Sequence, residues 1–170
     1  MKRLIIMRHA KSDWDANAPD HERPLNRRGQ RSARVMGVAL AKMGQTPQHV
    51  ITSSAVRART TTEIAVSAGA WDCPIEVADG LYGTMVDGAL AVVAEAPKDV
   101  ETLMIVGHQP TWGQLAAHLT GANVQIKTAT AVGIDLTINH WTDIGRARGS
   151  IVFVLHPRLF TDGSFRLPGI

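Results

Sequence analysis

The chain is poor in cysteine, in aromatic residues and in long apolar runs, and each shortage removes a class of function. Cys73 is the only cysteine among 170 residues, so no intrachain disulfide is possible and a Cys-rich zinc site is excluded. Nor does Cys73 suit a cysteine phosphatase, because Asp79 stands where such a loop needs its arginine. Aromatic residues make up 5% of the chain, and its Lys and Arg are spread rather than gathered into a stripe. Nucleic-acid binding is therefore not expected, although the formal charge is +3 and the pI near 9.4. A basic balance also suits an anionic substrate. No apolar run approaches the ~20 residues that span a bilayer, so no membrane partner is expected. Leu4 to Met7 is too short for a signal peptide and meets Arg8 and His9 at once, which leaves the cytoplasm as the expected location. There is no glycine-rich Walker A loop, repeat or low-complexity tract.

What is present is an alternation of apolar runs with longer amphipathic segments, the pattern of α/β proteins. Strands are predicted at Leu4 to Met7, Val50 to Thr52, Ile75 to Val77, Thr102 to Val106, Ala131 to Ile138 and Ser150 to Leu155. Helices are predicted at Gly29 to Met43, Ala55 to Ser67, Val86 to Ala96 and Trp112 to Leu119. Hydrophobic residues are 45% and charged residues 19%, enough for one core-bearing domain across residues 1–170. The expected architecture is a three-layer α/β/α sandwich around a mostly parallel sheet. The segment from Pro157 onward is expected to wrap the surface.

In such sheets ligands sit at the carboxyl ends of the strands. The first strand delivers Arg8 and His9, the second Thr52, Ser53 and Ser54 with Arg57 and Arg59 just beyond, and the fourth Gly107 and His108. Arginine forks match phosphate oxygens and stay charged. A neutral imidazole is a competent nucleophile, and neighbouring positive charge keeps it neutral. Phosphoryl transfer needs little beyond placement and charge neutralisation. The cluster thus predicts a phosphate site with a histidine nucleophile, no metal and no cofactor.

Other readings are weaker. Asp13-Trp14-Asp15 matches the Asp-x-Asp of magnesium-dependent phosphatases, but polar residues separate it from the first strand. Asp20-His21-Glu22 cannot turn three adjacent side chains onto one ion, so a solvated loop is expected there. Ser12 touches phosphate or caps a turn, Arg23 reaches the substrate's edge or solvent, and Arg59 is a candidate for either the site or the surface. The four tryptophans, Trp14, Trp71, Trp112 and Trp141, are expected in the core or along a groove rather than as stacking platforms.

Arg8-His9-Ala10 after an apolar strand resembles the Arg-His-Gly signature of the histidine phosphatase superfamily, the phosphoglycerate mutase-like family. Pro24-Leu25 with Arg28-Gly29, and Ser53-Ser54-Ala55-Val56-Arg57-Ala58-Arg59-Thr60, are similar to its next two motifs, the latter to Ser-Ser-Pro-x-x-Arg-Ala-x-x-Thr. Val106-Gly107-His108-Gln109-Pro110 resembles its second-histidine motif. The resemblance implies a phosphatase in which His9 is phosphorylated in turn, with Arg8, Arg57 and His108 completing the phosphate pocket. Ser12, Arg23 and Gly107 are then candidates for substrate contact. The chain's short length and Ala10-Lys11-Ser12 look like the SixA branch, which implies a phosphohistidine-bearing protein as substrate. A small phosphate ester and a non-catalytic phosphate-binding scaffold are the alternatives. Larger family members place a glutamate after the third strand as general acid; here Asp79 is the nearest candidate, ahead of Asp87. If no acid acts at that position, the labile N–P bond is favoured over phosphoesters.

Overall fold

A computed structural model describes residues 1–161. Its centre is a six-stranded sheet of order β3-β2-β4-β1-β5-β6. The strands are β1 (Lys2–Arg8), β2 (His49–Ser53), β3 (Ile75–Ala78), β4 (Thr102–Gly107), β5 (Ala131–Leu136) and β6 (Gly149–Leu155). The pairs β1–β4, β2–β4 and β2–β3 are parallel, whereas β5 runs against both β1 and β6. The sheet is thus mostly parallel, as expected, with β5 alone reversed.

Side chains alternate across the sheet with the strand period of two. Leu4 and Ile6 of β1, Ile51 of β2, and Leu103 and Ile105 of β4 face one core. Ile5, Met7, Val50, Met104 and Val106 face the other. The first core is closed by α3 (Val86–Ala94), α4 (Thr111–Thr120) and a 3-10 turn at Trp141–Arg146; the second by α1 (Arg27–Lys42) and α2 (Val56–Gly69). Both faces of the inner strands are therefore dry, which is why these read as continuous apolar runs rather than as alternating ones.

Local chemistry sets the boundaries. The Asn26 side chain accepts a hydrogen bond from Gly29 N at 2.8 Å and caps α1, so this helix starts two residues before the predicted Gly29. Helix α2 lies so close to α1 that a Cβ at Gly37 would run into the Ala65 carbonyl. Lys2, the first residue of β1, is 1% exposed. Its ammonium is satisfied by the carbonyls of Lys98 and Val100 and by Glu101 Oε1 at 2.8–2.9 Å, as a buried charge requires. Of the segment from Pro157, a short helix α5 (Arg158–Thr161) packs against α1, and the rest lies outside the described residues. No helix among the described residues is long and apolar enough to cross a membrane.

Candidate active site

The chain leaves β1 toward α1 on one face and leaves β4 toward α4 on the other. The carboxyl ends of these adjacent strands therefore open a crevice, the switch point at which α/β sheets bind ligands. Arg8 is the register partner of Gly107, so His9 and His108 emerge side by side. Their rings lie 5.1 Å apart, tilted by 53°. The backbone between them is tight: His9 N donates to Gly107 O at 2.9 Å. A Cβ on Gly107 would stand 2.6 Å from the Trp112 ring, whose Nε1 donates to Met7 O at 2.9 Å. Gly107 does not line the cavity beside His9; the absence of its side chain lets Trp112 lock the two strand ends together.

That cavity has a volume of about 280 Å³ and is lined by Arg8, His9, Lys11, Ser12, Trp14, Arg23, Arg57, His108, Gln109 and Thr128. His9 is 8% exposed, and its Nδ1 lies 2.7 Å from the Ala10 carbonyl. A carbonyl only accepts, so Nδ1 carries the proton and the Nε2 lone pair is left for chemistry. Burial, reinforced by His108, Arg57 and Arg8 and opposed by the bond to Ala10, pushes the His9 pKa down to about 3. Burial and Arg57, opposed by Asp20, push His108 down to about 4. Both rings are neutral near pH 7.

The surrounding elements fix this geometry. Thr61 of α2, one residue beyond the stretch quoted above, accepts from Ala10 N at 2.9 Å and donates to Arg57 O at 2.6 Å. It ties the His9 loop to the helix that carries Arg57. Ser53 at the end of β2 lies 2.8 Å from His108 Nε2. Arg8 donates from Nη1 to Ile126 O at 3.2 Å. Among the described residues, Arg8 Nε, Arg57 Nε and His108 Nδ1 are buried without a hydrogen-bond partner. Arg8, Arg57 and His108 thus share one cavity wall with His9 while keeping hydrogen-bonding capacity unused, an arrangement matched to an oxyanion-rich group held against a nucleophile.

Ser12 is buried on the cavity wall, and Arg23 reaches it with its guanidinium 3.6 Å over the Trp14 ring. Arg59 is half-buried and not on the wall. Asp79 stands on an exposed 3-10 turn at Asp79–Leu81, and neither it nor Asp87 is among the lining residues. Asp20-His21-Glu22 is solvated as expected, none of the three being buried, yet it forms a 3-10 turn that also brings Asp20 and His21 onto the site. Arg57 donates to both the Asp20 carbonyl and, at 3.1 Å, Asp20 Oδ2, while Arg23 and the Tyr82 hydroxyl donate to the same carboxylate at 2.8 and 2.9 Å. Burial pushes the Asp20 carboxyl up, but Tyr82, Arg57 and Arg23 outweigh it and hold the group below the usual range. His21 Nε2 lies 3.0 Å from Ser54 Oγ. Sequence spacing gave no signal for these contacts, since Asp20 and Tyr82 are far apart in the chain. Among the described residues no group of three or more His, Cys, Asp or Glu could hold a metal ion.

Comparison with known proteins places the fold in a family. Residues 4–84 match the model of the histidine phosphatase superfamily, branch 1. An uncharacterised protein of Mycobacterium tuberculosis (strain H37Rv) is 30% identical over 162 residues, covering 89% of this chain and 100% of that protein. The structure of the "putative phosphohistidine phosphatase SixA" of Nakamurella multipartitia superposes with a TM-score of 0.82 at 30% identity, over 92% of this chain and 96% of that one. The protein described in the same words from Agrobacterium tumefaciens gives 0.76 at 26% identity, over 92% and 98%.

Proposed function

Since the chain belongs to the histidine phosphatase superfamily, we propose that it hydrolyses phosphohistidine on a protein, with His9 as the nucleophile that is transiently phosphorylated. The observation that carries this reading is the commitment of His9 Nδ1 to the Ala10 carbonyl, which leaves Nε2 as a buried, neutral lone pair among Arg8, Arg57 and His108.

In the first step Nε2 bonds to phosphorus as the substrate's own N–P bond breaks. The electron pair of that bond leaves with the substrate imidazole, which departs neutral when its other nitrogen is protonated. Arg8 and Arg57 neutralise the phosphoryl oxygens, and neutral His108 faces the same group as a hydrogen-bonding partner. In the second step water attacks phosphorus, the Nε2–P bond breaks, orthophosphate departs and neutral His9 is restored. Nδ1 stays bonded to Ala10 O throughout, so the ring returns to the same tautomer.

The choice of substrate rests on the leaving group. No carboxylic acid is on the wall of the cavity among the described residues, and Asp20 nearby is held ionised by its arginines. An alkoxide would leave badly from such a site, whereas a protonated phosphoramidate needs no acid from the protein. The open cavity suits a protein surface, and the SixA-named neighbours carry the same substrate in their names.

The test is phosphate release from a phosphohistidine-bearing protein and from a panel of phosphomonoesters, in excess EDTA, with His9→Ala as control. Turnover of the phosphohistidine protein, lost in His9→Ala, is expected. Turnover confined to small esters would move the substrate to metabolites. Binding of phosphate analogues without any turnover would mean a scaffold.

A further inference from the structure

Beside the cavity that holds His9 lies a second one, of about 370 Å³, whose wall includes Lys11, Arg28, Arg31, Ser32, Thr128 and Arg158. Lys11 and Thr128 belong to both walls, so the two cavities are neighbours on one surface. No acidic side chain lines the second among the described residues. Lys11, Arg28 and Arg31 are exposed, and within the described residues none of them forms a salt bridge, although the chain has 15 acidic residues to offer. Lys11, Arg28 and Arg31, like charges with no salt bridge among the described residues, repel one another, and an anion placed between them removes that cost.

The gathering is built into the backbone. Asn26 N donates to Lys11 O at 3.1 Å, Asp13 N donates to Pro24 O at 2.8 Å, and Ser12 bridges to Leu25. Gly29 completes the clamp, since a Cβ there would run into the Lys11 carbonyl. The start of α1, whose first two turns carry Arg28 and Arg31, is thereby pressed against the loop that follows His9. These backbone contacts hold together the two segments from which the cations project.

We propose that this pocket is a second anion subsite, which holds an acidic group of the same substrate whose phosphoryl group lies at His9. The inference rests on the phosphatase reading above and adds to it a preference for a carboxylate or second phosphate near the scissile one. On a phosphohistidine protein that group is an Asp or Glu side chain flanking the modified histidine.

The test compares kcat/KM for two phosphohistidine peptides that differ only in having Glu or Gln beside the phosphohistidine, using the wild type, R28Q/R31Q and R28K/R31K. Wild type is expected to favour the acidic peptide about tenfold, the size of two exposed charge contacts, with the difference in KM. R28Q/R31Q is expected to lose the preference and R28K/R31K to keep most of it. Equal rates for both peptides in wild type, or a preference unchanged in R28Q/R31Q, would overturn the subsite. Should neither peptide be hydrolysed, the phosphohistidine reading fails by itself. The subsite is then read from inhibition of p-nitrophenyl phosphate hydrolysis: pyrophosphate must inhibit more tightly than orthophosphate in wild type, and equally in R28Q/R31Q. Its absence there overturns the subsite too.

Discussion

Lowering the pH from 7.5 to 5 separates this site from one built on an ordinary histidine. An imidazole of pKa about 6.5 is only about 3% neutral at pH 5, which would cost about 30-fold in the nucleophile's availability. With the His9 pKa near 3 and that of His108 near 4, His9 stays essentially neutral and His108 about nine-tenths neutral at pH 5. The loss attributable to the nucleophile is then less than about twofold. The direct assay is the titration of the imidazole carbon-bound protons by NMR, with His9→Ala and His108→Ala to assign the signals. Midpoints of both rings below about pH 5 are expected; a His9 midpoint between about 6 and 7 would refute the electrostatic argument. Stability must follow. The unfolded histidines bind protons below about pH 6.5 while the folded ones do not, so stability falls as pH falls. The loss begins near the unfolded value, approaches about 1.4 kcal/mol per pH unit for each buried ring, and levels off near the folded values. His9→Ala should show a shallower acid slope than wild type in urea titrations at pH 7, 6 and 5.

Three substitutions probe separate parts of the account. Arg57→Ala removes a cation from the phosphate cavity and is expected to lower kcat/KM by about 10²–10³, as loss of a transition-state donor does elsewhere; retained rates would remove Arg57 from the machinery. Asp20→Asn frees Arg57 and Arg23 from a competing carboxylate that is 52% exposed, so inorganic phosphate should inhibit about fivefold more tightly in a steady-state assay. Gly37→Ala pushes a methyl group into the Ala65 carbonyl and should cost about 1–3 kcal/mol in chemical denaturation, with the spectrum of the folded state unchanged.

Much of the architecture was legible because both faces of the sheet are covered. Continuous apolar runs such as Leu4 to Met7 mark strands, and the polar residues that follow them mark the site. The four residues expected to bind phosphate do meet in one cavity, because the strand ends that carry Arg8, His9 and His108 are register neighbours and Arg57 opens the helix after β2. The contacts that were not legible are those between distant loops. Nothing local in Asp20-His21-Glu22 says that Tyr82 and Arg57 will hold it; only the fold brings them together. Gly107, an expected substrate contact, also stands where a Cβ would meet Trp112, a packing requirement that no motif displays. Asp79 has the expected position after β3, but its side chain is exposed and off the cavity wall, while the same turn buries Leu81 and brings Tyr82 onto Asp20.

The most direct test of the central claim is to mix the protein with a ³²P-phosphohistidine substrate, quench with alkali and digest. The account predicts acid-labile, alkali-stable label on the peptide containing His9, formed and lost at rates that match turnover, present in excess EDTA and absent from His9→Ala. Label on another residue, or turnover that survives His9→Ala, would contradict it.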